Sequence, residues 1–243
     1  MKALVVGGSS GIGLSLVLKL LGKAECEGVY VVDKNPFPAD YSSERVTFVS
    51  CDLSEGDYSC LERVEDIQAL YITAGFGHLK FFQELSETYI FRSFAVNAVA
   101  PIQIIRHYYD RMLGEKDFTC AVMVSIAGRL SSPLFSVYSA TKAALSKFIE
   151  AVNVELDVQG SKNRILEVSP GSLKGTGFTG GPSQPELTAA LADEIISRAE
   201  RNEQLFIPQY EEVFKDVISR YGTNAHNFGV ESYWYKKKRL EQK

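Results

Sequence analysis

The stretch Ala3-Leu4-Val5-Val6-Gly7-Gly8-Ser9-Ser10-Gly11-Ile12-Gly13 places a short apolar run directly before a glycine-rich turn. The apolar run has the length of a buried strand, and the residues from Leu14 to Leu21 follow a helical pattern. A strand, a glycine turn and a helix in this order aim backbone N–H groups and a helix N-terminus at a pyrophosphate. The sequence therefore predicts a dinucleotide-binding turn, although a glycine turn after a strand also has purely structural explanations.

Three glycines of this turn have separate roles in that prediction. Gly7 makes the tight turn, Gly11 lets the phosphates approach, and Gly13 lets the helix pack closely on the strand. The spacing is Gly-x-x-x-Gly-x-Gly rather than Gly-x-Gly-x-x-Gly. Ser9 and Ser10 stand within the turn, which contains no basic residue.

An acidic residue ends the second apolar run. Asp33 follows residues 28–32 and stands twenty residues after Gly13, near the spacing at which a carboxylate holds a ribose 2′-hydroxyl. A carboxylate there would repel a 2′-phosphate, so Asp33 favours NAD(H) over NADP(H), whereas Lys34 is a counter-signal because it could reach such a phosphate. The alternative is that Asp33 merely begins a solvated polar loop.

A tyrosine and a lysine stand four residues apart in Tyr138-Ser139-Ala140-Thr141-Lys142, within a predicted helix. Residues at this spacing share one helix face, so the ammonium of Lys142 would lie near the phenol of Tyr138. A free tyrosine has a pKa near about 10, and lowering it by about three units takes roughly 4 kcal/mol. The pair is therefore a candidate acid–base catalyst, or else a half-solvated pair on an exposed helix.

Apolar runs alternate with helical patterns along the chain, the order typical of a parallel sheet. We expect an α/β protein with a Rossmann-type doubly wound parallel sheet in three α/β/α layers, forming one domain over residues 1–243. The later strands are predicted at 28–32, 46–49, 69–72, 120–125, 165–168 and 204–207, and the long helices at 87–113 and 137–158. Residues from about 172 to 190 are predicted to form a substrate loop, and those from about 230 to 243 a C-terminal tail.

Taken together, these motifs resemble those of the short-chain dehydrogenase/reductase family over about residues 1–171. The turn from Gly7 to Gly13 matches the family's Gly-x-x-x-Gly-Ile-Gly, and Ser125 precedes Tyr138 by the usual thirteen residues. The further matches are Asp52-Leu53, Ala74-Gly75, Asn97, Lys142 and Pro170-Gly171.

The resemblance implies an NAD(P)-dependent oxidoreductase that moves a hydride between the nicotinamide and a carbonyl or alcohol carbon of a small molecule. Tyr138 would be the acid–base, Ser125 would hold the reacting oxygen, Lys142 would lower the pKa of Tyr138, and Asn97 would order a relay water. The implied cofactor-binding residues are Gly7, Ser9, Ser10, Gly11, Ile12, Gly13, Asp33, Asp52, Leu53, Ala74, Gly75, Tyr138, Lys142, Pro170, Gly171 and Thr176. The family is usually dimeric or tetrameric, which implies a homodimer or homotetramer.

Several positions depart from the family pattern. Gly175 stands where the family commonly has threonine, with Thr176 one residue later, and Ile72-Thr73 replace two asparagines.

Pro101 has no N–H to donate to the carbonyl of Asn97, four residues earlier. That carbonyl is therefore free for a relay water, although a simple helix kink is an equal alternative.

Composition excludes several other classes of protein. The apolar stretches fall short of the ~18–20 residues of a membrane-spanning helix, and a net charge of −4 gives nucleic acid no electrostatic footprint. The four cysteines lack Cys-x-x-Cys spacing, so we expect no metal site and a reducing, cytoplasmic location. Met1-Lys2 leads directly into the first strand, so no signal peptide is expected. The basic run 236–239 is interpreted as solvated.

The substrate is less well defined by sequence. Leu130, Leu134, Phe135 and Phe178 predict an apolar pocket lining, and Arg129 either meets an anionic substrate or, more readily, has a structural role. The aromatic-rich segment 206–235 would cap the pocket or form a subunit contact. A second function class is a dinucleotide-binding redox sensor with little turnover, against which the complete set of catalytic residues argues.

Overall fold

One sheet organises the computed structural model, which describes residues 1–179 and 181–241. Its strands are β1 Lys2–Val6, β2 Gly28–Asp33, β3 Val46–Ser50, β4 Ala69–Ile72, β5 Thr119–Met123, β6 Ile165–Val168 and β7 Leu205–Phe206. They pair in parallel in the order β3-β2-β1-β4-β5-β6-β7. The strand order reverses direction between β1 and β4, and open α/β sheets bind their ligands beyond the carboxyl ends of the strands at such a point.

Helices cover both faces of this sheet. They are α1 Gly11–Leu21, α2 Glu87–Phe94, α3 Ala100–Leu113, α4 Ser136–Val158, α5 Pro185–Glu200, α6 Lys215–Thr223 and α7 Ala225–Glu241. Successive strand residues point to opposite faces. In β1, Leu4 and Val6 therefore pack in the core shared with α3 and α4, whereas Ala3 and Val5 pack in the core shared with α1 and α5. The predicted three-layer, doubly wound α/β fold is confirmed.

The predicted helix 87–113 is not continuous. A π-helical turn, Ala95–Val99, separates α2 from α3. Within it the Ala100 N–H donates to the Ala95 carbonyl five residues earlier, and Pro101 follows with no N–H of its own. The missing donor at Pro101 is the physical reason why the regular helical ladder is interrupted here.

Four segment predictions need correction. The substrate loop is shorter than about 172–190, because α5 begins at Pro185, a residue suited to the first turn of a helix. The segment from about 230 to 243 is not a free tail, because α7 extends to Glu241. Strand β5 ends at Met123 rather than at 125, and β7 has two residues rather than four. Gly180, Gln242 and Lys243 lie outside the described residues.

The buried carboxylate of Glu167 connects β6 to its neighbours. Its Oε1 accepts from Arg129 Nε at 3.0 Å, from Arg129 Nη2 at 2.7 Å and from Ser169 Oγ at 2.7 Å. Its Oε2 accepts from Ser146 Oγ of α4 at 2.8 Å. Arg129 is thus paired and structural, the more readily expected of its two interpretations. The network fixes α4 and the segment after β5 relative to the sheet.

In residues 1–179 and 181–241, no helix is both long enough and apolar enough to cross a membrane. The same residues contain no group of three or more His, Cys, Asp or Glu side chains that could hold a metal ion. The homo-oligomeric state and the cytoplasmic location stay predictions.

Replacing Glu167 with alanine is expected to lower the free energy of unfolding by about 3 kcal/mol. The change leaves the Arg129 guanidinium without its carboxylate and two buried hydroxyls without their acceptor. Urea denaturation measures the effect, with Glu155→Ala on the exposed side of α4 as the control, expected to stay within about 0.5 kcal/mol. Equal effects of the two substitutions would contradict this account.

Candidate active site

The long helix α4 carries two buried polar side chains one turn apart. Tyr138 is 9% exposed and Lys142 is 2% exposed. The Lys142 Nζ lies 5.9 Å from the centroid of the Tyr138 ring and donates to the Met123 carbonyl, at the end of β5, at 2.9 Å. The four-residue spacing therefore does place both groups on the inner face of the helix.

Burial governs the protonation of this pair. It raises the pKa of Tyr138 to about 12, and the hydrogen bond with Ser125 offsets part of that rise. It lowers the pKa of Lys142 to about 8. The protein alone thus does not lower the pKa of Tyr138, contrary to expectation, because burial raises this pKa by more than the hydrogen bond with Ser125 lowers it. Tyr138 holds its proton at neutral pH, and Lys142 lies close to losing one.

Ser125 lies just beyond the end of β5 with its hydroxyl at the same edge of the sheet. Its Oγ accepts from the Ala127 N–H at 3.1 Å and makes a long contact, 3.5 Å, with the Pro170 carbonyl beyond β6. Since β5 and β6 are neighbours in the sheet, the fold brings together the predicted serine and the predicted Pro170-Gly171 pair.

Asn97 occupies the π-helical turn and is fully buried. Its Oδ1 accepts from the Phe76 N–H at 2.9 Å, and its Nδ2 donates to the Phe76 carbonyl at 2.8 Å and to Thr141 Oγ1 at 3.2 Å. A methyl group built on Gly75 would lie 3.2 Å from Asn97 Oδ1 and 3.3 Å from Lys142 Nζ. Asn97 therefore fixes the segment after β4 against α4, directly beside the lysine.

Two glycines of the turn between β1 and α1 are so tightly packed that their positions admit no side chain. Gly7 has a φ of +86°, and a methyl group on it would lie 2.5 Å from the Ala74 nitrogen. A methyl group on Gly13 would lie 2.1 Å from the Gly7 carbonyl oxygen. Thr73, which replaces one of the two asparagines of the family pattern, donates from Oγ1 to the Val6 carbonyl at 3.0 Å and so links β4 to β1 through its side chain.

The N-terminus of α1 offers a donor that fits a phosphate oxygen. The Gly11 N–H donates to Ser183 Oγ at 2.7 Å, and Thr176 lies beside the same glycine, with its Cβ 3.5 Å from where a Gly11 methyl group would stand. An oxygen acceptor is thus accommodated at this N–H, at the positive end of the helix dipole. Ser10 immediately precedes the helix with extended backbone, and Ile12 is buried within it.

Two carboxylates lie at the carboxyl ends of the neighbouring strands β2 and β3. Asp33 accepts from the Ser9 N–H at 3.1 Å and from the Asn35 N–H at 2.9 Å. Asp52 accepts from the Ser54 N–H at 2.9 Å, and the hydrogen bonds from Ser54 hold the pKa of Asp52 below its usual range. Leu53 next to it is buried. The strand order places these groups on one side of the glycine turn and the residues after β5 on the other, an arrangement that an extended dinucleotide can follow.

Aromatic rings cover Tyr138. The Phe178 centroid lies 5.0 Å from that of Tyr138 and 6.0 Å from that of Phe135, with which it stacks. Both phenylalanines had been predicted to line the pocket. Phe214, which packs on Gly171, belongs to the aromatic-rich segment 206–235 that was predicted to cap the pocket or form a subunit contact. Sequence reasoning missed Lys236, which reaches Ser132. The interpretation of the basic run 236–239 as solvated is wrong for Lys236 because that side chain is half-buried.

A family model described as short chain dehydrogenase matches residues 1–186. The uncharacterized oxidoreductase TDA5 of Saccharomyces cerevisiae is 27% identical over 199 residues, which cover 78% of this chain and 60% of that protein. This chain therefore spans less than two thirds of the length of that relative.

Solved structures share the whole architecture. A short-chain dehydrogenase from Streptomyces avermitilis has a TM-score of 0.75 and 22% identity, covering 99% of both chains. A short chain dehydrogenase from Burkholderia cenocepacia, solved in complex with NADP, has a TM-score of 0.71 and 20% identity, covering 90% of this chain and 96% of its own. At these identities the likeness shows a common fold.

Replacing Lys142 with methionine is expected to change stability in a pH-dependent way. Between the folded pKa of about 8 and the ordinary value of 10.5, the unfolded chain binds more protons, so wild-type stability rises with pH. Below pH 8 the buried ammonium costs about 3 kcal/mol, at about 1.4 kcal/mol per pKa unit, and methionine removes that cost. The free energy of unfolding of Lys142→Met minus that of wild type should therefore fall as pH rises from 8 towards 10.5.

Urea denaturation at pH 7, 8, 9 and 10 measures this difference, and Lys147→Met on the exposed face of α4 is the matched control. The hydrogen bond to the Met123 carbonyl is lost at every pH, which shifts the difference without giving it a slope. A difference for Lys142→Met that stays constant from pH 7 to 10 would refute the buried-ammonium account.

Proposed function

The chain belongs to the short-chain dehydrogenase/reductase family, and from that membership we propose that it is an NAD(P)-dependent oxidoreductase that interconverts a carbonyl compound and its alcohol. The observation that carries the proposal is the cluster of Ser125, Tyr138, Lys142 and Asn97, buried together beyond the carboxyl ends of the central strands. Three of these side chains act on one oxygen and its proton, as reduction of a carbonyl requires.

In carbonyl reduction, Tyr138 is the proton donor and Ser125 positions the oxygen that receives the proton. Burial keeps Tyr138 protonated at neutral pH, with its pKa raised to about 12. Ser125 donates a hydrogen bond to the same carbonyl oxygen and stabilises the negative charge that develops there. The dinucleotide, when bound, supplies the two-electron chemistry of hydride transfer. Its pyrophosphate would bind at the Gly11 N–H, which donates here to the hydroxyl oxygen of Ser183.

Lys142 and Asn97 restore the proton to Tyr138. A buried phenolate left after proton donation is stabilised by the Lys142 ammonium, whose pKa of about 8 makes it a ready donor at neutral pH. The proton then returns to Lys142 through a water held at the Asn97 backbone carbonyl. The absence of an N–H on Pro101 supports this relay, because it removes the donor that a regular helix would direct to that carbonyl.

NAD(H) is the cofactor that the residues favour. Asp33 ends β2 with a partly exposed carboxylate, which accepts from a ribose 2′-hydroxyl and repels a 2′-phosphate. Lys34 is exposed beside it and is the one residue of this region that argues for NADP(H).

Replacing Tyr138 with phenylalanine is expected to reduce turnover by about 10²–10⁴-fold, because the proton donor is lost. Binding of NADH, followed by its fluorescence, should change by less than about threefold, since Tyr138→Phe removes a single hydroxyl. Oxidation of NADH and NADPH, followed by absorbance with aldehydes, ketones and quinones, measures the activity. Tyr109→Phe is the control, because it removes a phenolic hydroxyl from a half-buried tyrosine of α3 whose described side-chain partner is Gln159.

Activity of Tyr138→Phe within tenfold of wild type would remove Tyr138 from the catalytic role. Tight binding of the dinucleotide by the wild type, with no turnover on any carbonyl compound, would instead favour the redox sensor.

Replacing Asp33 with alanine is expected to shift the ratio of kcat/KM for NADH over NADPH by about tenfold towards NADPH, since the change removes the carboxylate that repels a 2′-phosphate. The exposed Asp40 supplies the control Asp40→Ala, which makes the same charge change nearby. Lys34→Ala tests the opposite influence and should lower kcat/KM for NADPH while leaving kcat/KM for NADH unchanged. An unchanged ratio in Asp33→Ala would remove Asp33 from cofactor selection.

A further inference from the structure

The C-terminal helices pack against the catalytic side of the sheet. The ring of Phe214, which precedes α6, lies 2.5 Å from where a methyl group on Gly171 would stand. In α7, Gly229 and Lys236 are seven residues apart and so share one face, two turns apart. A Gly229 methyl group would stand 3.5 Å from Ser131 Oγ, and Lys236 reaches Ser132. Helix α7 thus lies along the segment that leads into α4.

The Lys236 ammonium lies against this segment without a compensating negative charge. Its Nζ donates to Ser132 Oγ at 2.6 Å and to the Pro133 carbonyl at 3.2 Å, and it lies 5.6 Å from the centroid of the Phe135 ring. Both acceptors are neutral. In the part of the chain that the structure describes, no carboxylate pairs with this half-buried ammonium. One N–H of Lys236 is left over for a further acceptor.

The rings of Phe135 and Phe178 join Lys236 to the catalytic tyrosine. The Phe135 ring, under the ammonium, has its centroid 5.8 Å from that of Tyr138, and Phe178 stacks on Phe135. An apolar, aromatic surface therefore runs from a cation to a proton donor. Arg129, the other candidate cation considered for this region, is already neutralised by Glu167, whereas Lys236 has no carboxylate partner among the described residues.

We propose that Lys236 binds a carboxylate of the substrate, whose carbonyl group lies at Tyr138 and whose apolar body lies against Phe135 and Phe178. The inference deepens the proposed function and rests on it for the position of the carbonyl. A carboxylate would form a charge-assisted hydrogen bond with the unused N–H of the ammonium. It would also compensate the burial that lowers the pKa of Lys236 to about 8. The substrate class is then an apolar or aromatic aldehyde, ketone or alcohol that carries a carboxylate.

The test compares 4-carboxybenzaldehyde with benzaldehyde, which differ only in the carboxylate. We expect wild type to show a kcat/KM at least about tenfold higher for the carboxylated aldehyde, mainly through KM. Lys236→Met should lose most of this ratio, and Lys236→Arg should retain part of it. Lys238→Met is the matched control, because Lys238 is an exposed lysine of the same helix, and it should keep the wild-type ratio.

A binding measurement separates this inference from the proposed function. Calorimetry with benzoate, in the presence of NADH, requires no turnover. Benzoate binding that is weakened about tenfold in Lys236→Met but not in Lys238→Met supports the carboxylate site even where no aldehyde is reduced. Turnover with the same ratio of the two aldehydes in wild type and Lys236→Met overturns the inference while leaving the reductase intact. A lower thermal midpoint of Lys236→Met with unchanged benzoate binding also overturns it, because Lys236 would then only anchor α7.

Discussion

The buried ammonium of Lys142 is the constraint on which the site depends. It donates to the Met123 carbonyl at the end of β5, and no carboxylate of the described residues pairs with it, so the charge is desolvated without being neutralised. Such a group is tolerated only where the surrounding structure holds it in place. Asn97 does so by fixing the segment after β4, and Gly75 leaves room for the lysine beside that asparagine. The cost of burial is also what brings the pKa of Lys142 close to the working pH of a proton donor.

Arg129 and Lys236 show two other ways in which a buried or half-buried cation is accommodated, and the difference separates structural from functional charge. Arg129 donates two hydrogen bonds to one oxygen of the Glu167 carboxylate, which also accepts from two serine hydroxyls, so the charge of Arg129 stabilises the fold. Within residues 1–179 and 181–241, Lys142 and Lys236 donate to neutral acceptors, and burial lowers the pKa of both to about 8. A cation without a protein anion is available to a ligand. One such cation lies beside the proposed acid–base, and the other lies at the far side of its aromatic neighbours.

Local spacing is what made much of this site predictable. The turn from Gly7 to Gly13 and the pair Tyr138 and Lys142 are each encoded within a few residues. A methyl group added at position 7 or 13 would lie 2.1–2.5 Å from a backbone atom, which leaves no alternative to glycine there. The direction of the Tyr138 pKa was not predictable in this way, because burial depends on side chains from other elements. The π-helical turn at Asn97 was missed for a related reason: Pro101 indicates a lost donor, but not whether the helix kinks, ends or widens.

The C-terminal helices show the limit of sequence patterns most clearly. Between residues 215 and 241, all of them described, Gly229 is the one buried residue, and α7 carries no apolar stripe from which to predict a packed helix. The contacts of α7 with the segment before α4 are made by a glycine and a lysine, residue types that ordinarily indicate a solvated surface. Lys236 and Phe135 are a hundred residues apart in sequence and meet only because α7 lies along the start of α4. The cation that would select a substrate is therefore placed by the packing of one weakly patterned helix, α7, whereas the groups that would move the proton are placed by a motif.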